Sequence, residues 1–339
     1  MTGQPTLAAP GSFGGSAERY PTREGVLRAA AKVADLLPQT PLLPLELPNG
    51  ATVWCKAEVL QPVGAFKIRG AWHRLSDLTP EEAARGVVAV SSGNHAQGVA
   101  WAAKRLGIAA TIVMPRDAPE VKIASTRALG AEVVFYERMT ESRDDIAAKL
   151  CAEKGAVLVH AYGDPWVIEG QGSAGIELAA QMGAQAGGPP TRIVTPCGGG
   201  GLSAGLVLAC PDAEVVPVEP EGWDDIARSL VAGVIEPVGP NAPKTACDAL
   251  MATATYPINF AVLHPRGVRG TWVSDAEVRA AQRLAFSKLR LVVEPGGAAG
   301  LAAVLAGKVP VDGRTAVILS GGNTDPQAFA AVLAETGCN

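Results

Sequence analysis

The chain has no CxxC pair and no HExxH. Its six cysteines (Cys55, Cys151, Cys197, Cys210, Cys247, Cys338) are scattered, and so are its four histidines (His73, His95, His160, His264). That dispersal argues against a zinc site or a disulfide frame and fits buried thiols in a reducing cytoplasm. No apolar run approaches the length of a membrane span. No basic run occurs either: 29 basic and 33 acidic residues leave a net charge of −4. This excludes the electrostatic footprint of a nucleic-acid binder or of a protein docked on an anionic membrane. The opening stretch, MTGQPTLAAPGSFGGSAERYPT, lacks the basic start and apolar centre of a signal peptide. It is rich in Gly, Pro, Ser and Ala, and residues 1–22 read as a flexible tail.

What is present is a core-forming chain. At 339 residues, 48% hydrophobic and 18% charged, it is long enough for two domains and too apolar to be disordered. Apolar β-branched runs alternate with alanine-rich amphipathic stretches. GVVAVSS, AATIVMP, AEVVFY, AVLVHAY, RIVTPC, AEVVPVEP and TAVILSGG read as strands. NHAQGVAWAAKRLG, PEVKIASTRALG, TESRDDIAAKLCAEKG and VIEGQGSAGIELAAQMG read as helices. This rhythm predicts an α/β fold with mainly parallel twisted sheets covered by helices. Between Glu221 and Arg269 Pro and Gly are frequent, and irregular segments are expected. Two sheets would enclose a cleft, with ligands beyond the carboxyl ends of strands.

The motifs fall at such ends. PCGGGGLSAG, Pro196 to Gly205, follows a strand and opens a helix. Its four glycines expose backbone N–H groups at a helix N-terminus, which is a phosphate cradle in physical terms. No Lys-Ser or Lys-Thr follows them, so the loop is not a Walker pattern. VSSGNHAQG, Val90 to Gly98, also joins strand to helix. Capping explains one of Ser91, Ser92 and Asn94, and the full cluster suits a substrate carboxylate. VEPEGWDD sets Glu219, Asp224 and Asp225 close together, either as a solvated acidic loop or as oxygen ligands for Mg²⁺ or Ca²⁺. In GAFKIRGA, Lys67 lies between aromatic and apolar neighbours. It is either a stem along a surface or a desolvated amine able to condense with a carbonyl cofactor.

These motifs occur together and in one order. From Thr40 to Asp325 the chain resembles the fold-type II pyridoxal-phosphate enzymes, specifically the threonine/serine dehydratase and serine racemase branch. The segments EVLQPVGAFKIRGA, SSGNHAQG, EGQGS, GGGGL, VEPGGAAG and SGGN carry the likeness. The resemblance implies a large cofactor-binding domain of residues 23–80 plus 164–339 and a small domain of residues 81–163. It implies that Lys67 holds pyridoxal 5'-phosphate through its amine, with Phe66 against the ring. Gly198, Gly199, Gly200 and Gly201 would hold the phosphate, Asn94 the ring hydroxyl, and Ser320 would face the pyridine nitrogen. Ser91, Asn94 and His95 would hold the substrate α-carboxylate. The freed Lys67 would remove the Cα proton, and Ser92 stands where racemizing members carry the opposite-face acid/base. Glu219, the Trp223 carbonyl and Asp225 match a divalent-cation site, of the Mg²⁺ type.

The expected activity is an ammonia-lyase acting on a small 3-hydroxy amino acid, L-threonine or L-serine first. Arg143 matches an arginine that reaches a second carboxylate in some members, which makes 3-hydroxyaspartate the alternative substrate. Amino-acid racemization is the other alternative. Tyr162 in HAYGDP and Ala249 in TACDALMA depart from the family pattern near the substrate pocket. The resemblance further implies a homodimer of the short type, without a regulatory domain.

Overall fold

The computed structural model describes residues 19–118, 120–137 and 140–335. Most of the expected tail, residues 1–18, lies outside them, as does Cys338. The tail's last four residues are not loose. Arg19 pairs with the buried Glu169 at 2.6 Å, the Thr22 amide donates to the same carboxylate, and the Thr22 hydroxyl caps the Arg23–Ala34 helix.

Two sheets organise the chain. The first runs in the order β1 (Leu42–Glu46), β2 (Thr52–Ala57), β10 (Thr315–Leu319), β7 (Arg192–Pro196), β8 (Glu214–Pro220) and β9 (Thr271–Val273). The second runs β5 (Glu132–Tyr136), β4 (Ala110–Pro115), β3 (Val87–Val90), β6 (Val157–Leu158). All pairings are parallel except β1 with β2. The central strands β4, β7 and β10 are almost wholly buried, as continuous apolar runs in helix-covered parallel sheets must be.

AVLVHAY pairs over only two residues, and the reason is local. The Val159 amide still bonds Val88, but its carbonyl accepts from His95, and the Gly163 amide then donates to His160 Nδ1 at 2.8 Å. The chain is thereby turned out of the sheet into a loop. Asp164 stops that loop: its carboxylate caps the Pro165–Gln185 helix through the Trp166 and Val167 amides and accepts from Arg74 Nε at 2.9 Å. The Pro- and Gly-rich region contains two short α-helices, Asp225–Ala232 and Pro257–Leu263, and two single 3-10 turns, Asp248–Leu250 and His264–Arg266, and is otherwise irregular.

EGQGS supplies close approach. A Cβ on Gly170 would fall 2.5 Å from the Gly70 Cα, and one on Gly172 would fall 2.6 Å from the Gly205 carbonyl. Glycine at these points lets one long helix cross both the helix that begins at Lys67 and the helix that follows the glycine run. The spacing between the lysine and the glycine loop is set by those two crossings.

Candidate active site

Lys67 is the first residue of the Lys67–Leu75 helix. The segment before it is strapped to the end of β10. Ala65 bridges Gly321, the Phe66 amide donates to the Ser320 carbonyl at 3.0 Å, and the Gly322 amide donates to the Gly64 carbonyl at 2.9 Å. Lys67 Nζ reaches across to the Ala161 carbonyl at 2.7 Å. Burial lowers its pKa to about 8, because desolvation disfavours the ammonium. The surface-stem alternative does not hold: this amine is desolvated, and with a pKa of about 8 it is still mostly the ammonium at pH 7 but neutral far more often than an exposed lysine.

The loop that receives Lys67 also touches the glycine run. The Tyr162 ring packs where a Cβ on Gly199 would fall 2.2 Å from it, so only glycine fits there. Asn259 Nδ2 ties the two segments, donating to the Gly199 carbonyl at 2.7 Å and the Tyr162 carbonyl at 2.9 Å. Gly200, at φ +94°, caps the Gly201–Ala209 helix. That left-handed conformation turns the loop so that helix N–H groups face the cleft.

Asn94 opens the Asn94–Leu106 helix and is held from both sides. Its Nδ2 donates to Glu294 at 2.6 Å, and its Oδ1 accepts from Asn323 at 2.8 Å. Asn323 in turn donates to the Val63 carbonyl, four residues before Lys67. Burial pushes the Glu294 carboxyl up to about 7, only partly offset by the Asn94 bond. Glu294 and Asn323 lie in VEPGGAAG and SGGN, but neither was singled out from sequence. Ser320 is buried, and its hydroxyl makes no hydrogen bond among the described residues.

The SSGNH turn divides its labour. Ser91 Oγ accepts from the Gly93 amide at 3.1 Å, while the Ser92 hydroxyl has no partner among the described residues. The ring of His95 is engaged elsewhere. Its Nε2 donates to the Val159 carbonyl at 2.8 Å, burial lowers its pKa to about 3, and Nδ1 is buried without a partner. A neutral ring of that tautomer offers only a lone pair, which repels a carboxylate. Any hold on an anion comes from its backbone N–H in the first helical turn, not from its ring.

Arg143 opens the Arg143–Lys154 helix and is half exposed, 3.9 Å from Asp144. Its positive charge nevertheless acts on both His160 and Tyr162. Its charge therefore lies within electrostatic reach of the loop that receives Lys67.

Glu219 and Asp225 meet at the end of β8. Glu219 accepts from the Ile226 and Ala227 amides at 3.0 and 2.8 Å. The Trp223 carbonyl precedes the helix cap, Asp224, and accepts no hydrogen bond among the described residues. Both oxygens of Asp225 are buried without a hydrogen bond, although the Thr255 amide lies near. Burial raises the Asp225 pKa to about 7 and lifts that of Glu219 well above the carboxylate range. Two buried carboxylates and a free carbonyl are an oxygen donor set that suits a hard cation. Among the described residues no cluster of three or more His, Cys, Asp or Glu side chains offers an alternative metal site.

A desolvated lysine whose preceding segment is strapped to the end of β10 at Ser320, and a glycine run at a helix N-terminus, are parts that suit pyridoxal phosphate. Comparison with known proteins agrees. The family described as "Pyridoxal-phosphate dependent enzyme" matches residues 33–321, and the chain belongs to that family. Within it the chain is 37% identical to the L-threo-3-hydroxyaspartate ammonia-lyase of Saccharomyces cerevisiae, covering 92% of this chain and 96% of that one. It is 35% identical to the serine racemase of Schizosaccharomyces pombe, over 93% and 98% of the two chains. Among solved structures, a threonine deaminase from T.th. superposes with a TM-score of 0.81 at 41% identity, over 90% of this chain and 99% of that one.

Proposed function

We propose that this protein is an ammonia-lyase that converts L-threo-3-hydroxyaspartate to a 2-oxo dicarboxylic acid and ammonia. The observation that carries the choice of substrate is Arg143. Its charge reaches His160 and Tyr162, beside the loop that receives Lys67, so a second carboxylate would be met by a cation. The yeast relative named for that substrate supports it. L-Threonine and L-serine have no second carboxylate to offer Arg143.

Lys67, Phe66, Asn94, Gly198 to Gly201 and Ser320 would hold the cofactor, and the two domains would close around it. Bound pyridoxal phosphate supplies the electron sink that makes a Cα proton removable. Lys67 takes that proton with its amine, which is half neutral near pH 8. The N–H groups of the turn from Asn94 to Ala96, with Ser91, hold the α-carboxylate. Loss of the β-hydroxyl as water and hydrolysis of the resulting enamine complete the balance. A Mg²⁺-type cation on Glu219, the Trp223 carbonyl and Asp225 would brace the glycine loop, since Asp225 acts electrostatically on Cys197 at the loop's start. A homodimer in a reducing cytoplasm belongs to the same proposal.

One observation favours racemization as a second activity: the unpartnered Ser92 hydroxyl, free to exchange a proton on the face opposite Lys67. The test is 2-oxo acid release, with Mg²⁺, from L-threonine, L-serine and both L-3-hydroxyaspartate diastereomers, alongside chiral analysis of recovered substrate. The threo diastereomer should be converted fastest, and Lys67→Ala should lower that rate by about 10³-fold. Faster turnover of serine or threonine would overturn the choice of substrate. An unchanged Lys67→Ala rate would overturn the mechanism.

A further inference from the structure

His160 belongs to none of the roles above, yet its ring is held with more care than a filler would need. Its Nδ1 accepts from the Gly163 amide at 2.8 Å and from the Tyr162 amide at 3.4 Å. The ring lies against Tyr162 edge-on and against Tyr256 at a tilt, both at 4.7 Å between centroids. Two amides on Nδ1 place the ring proton on Nε2. Nε2 has no partner among the described residues and is not among the fully buried unpartnered atoms, so a ligand atom can reach it. The next residue's carbonyl receives Lys67 Nζ at 2.7 Å, and both Lys67 and Arg143 act on the ring electrostatically. Burial, with those two cations, lowers the pKa to about 4, so the imidazole is neutral at physiological pH.

We propose that His160 is a specificity-determining residue: its Nε2–H donates a hydrogen bond to the side-chain carboxylate of a dicarboxylic amino acid, between Lys67 and Arg143. The inference rests on the substrate class proposed above and adds a second recognition element to it. A neutral donor suits the position. It binds one carboxylate oxygen without adding a third cation beside Lys67, whose amine must lose its proton to act. Tyr162 and Tyr256 fix the ring so that little rotational freedom is lost on binding.

Two substitutions separate recognition from support. His160→Asn keeps an acceptor near the Nδ1 position for Gly163 and removes the Nε2 donor. His160→Gln extends an amide toward the Nε2 position and gives up the Nδ1 acceptor. The probes are L-aspartate and L-alanine, which have no β-hydroxyl to lose, titrated into holoenzyme and followed by the cofactor's visible absorbance. The wild type should bind L-aspartate more tightly than L-alanine. His160→Asn should cut that preference about tenfold or more, the worth of a hydrogen bond to a charged group. His160→Gln should keep it within about threefold. Equal loss in both variants, or no loss in His160→Asn, would overturn the inference. If the wild type turns over threo-3-hydroxyaspartate and prefers aspartate while His160→Asn retains the preference, only this inference fails. If the wild type neither converts hydroxyaspartate nor prefers aspartate, the substrate proposal fails with it.

Discussion

Two sets of buried charge flank the cleft, and they are finished differently. Two residues past Lys67, the Arg69 guanidinium grips Glu58 with two bonds of 2.7 and 2.8 Å and reaches Glu177 at 2.9 Å. Lys56 joins them, donating to Glu177, to the Thr40 carbonyl at 2.7 Å and to Gln181 at 2.8 Å. Burial opposes the Glu58 charge, but Arg69 outweighs it and holds the carboxyl below its usual range. At the end of β8, Glu219 and Asp225 are as deeply buried, face each other's charge, and have no cationic side chain bonded to them among the described residues. The first set is a closed structural network. The second is a pair of buried carboxylates that no side-chain cation among the described residues neutralises. Burial alone does not distinguish support from site; satisfaction of the oxygens does.

Breaking the closed set should have the largest effect. Arg69→Met leaves Glu58 buried without its partner, at a cost of about 3–5 kcal/mol. Thermal denaturation should then show a melting temperature lower by roughly 10 °C. Unchanged melting would mean that the network contributes nothing. The open set should respond to cation instead. Mg²⁺ at 100 times its Kd should stabilise the wild type by about 2.7 kcal/mol and should leave Asp225→Asn nearly unmoved. Equal shifts in both proteins would place the cation elsewhere.

The smallest effect is in pH. In chelator, the folded state binds protons on Asp225 and Glu219 that the unfolded chain has already released. Stability should therefore fall as pH rises from about 4 through about 7, where Asp225 titrates. Glu58, whose pKa is lowered, loses its contribution only in more acid solution. Melting temperatures at pH 5 and 8 with chelator should show the decline. Mg²⁺, or Asp225→Asn, should flatten it.

The sequence made the parallel strands and their helices legible because β-branched runs such as VVAV and ATIVMP are unambiguous when buried on both faces. It hid β1 and β9. β1 is an edge strand carrying Pro44, and β9 is three residues long; neither has a period to read. For the site, glycine runs and hydroxyl clusters announce themselves by composition, so Gly198 to Gly201 and the SSGNH turn stand out as candidates, whereas Lys67 gains meaning only from the family resemblance. His160, Glu294 and Asn323 were missed because each is an ordinary residue type, given meaning only by a partner in the fold. The tautomer of His95 is equally illegible, because it is set by the carbonyl of Val159, 64 positions away.

The most direct test of the account is the ratio of kcat/KM for L-threo-3-hydroxyaspartate to that for L-serine, measured with Mg²⁺ in the wild type and in Arg143→Ala. The account predicts a wild-type ratio of about 100 or more, reduced at least tenfold in the variant, because only the dicarboxylate loses a charged partner. A wild-type ratio below one, or a ratio unmoved by Arg143→Ala, would contradict it.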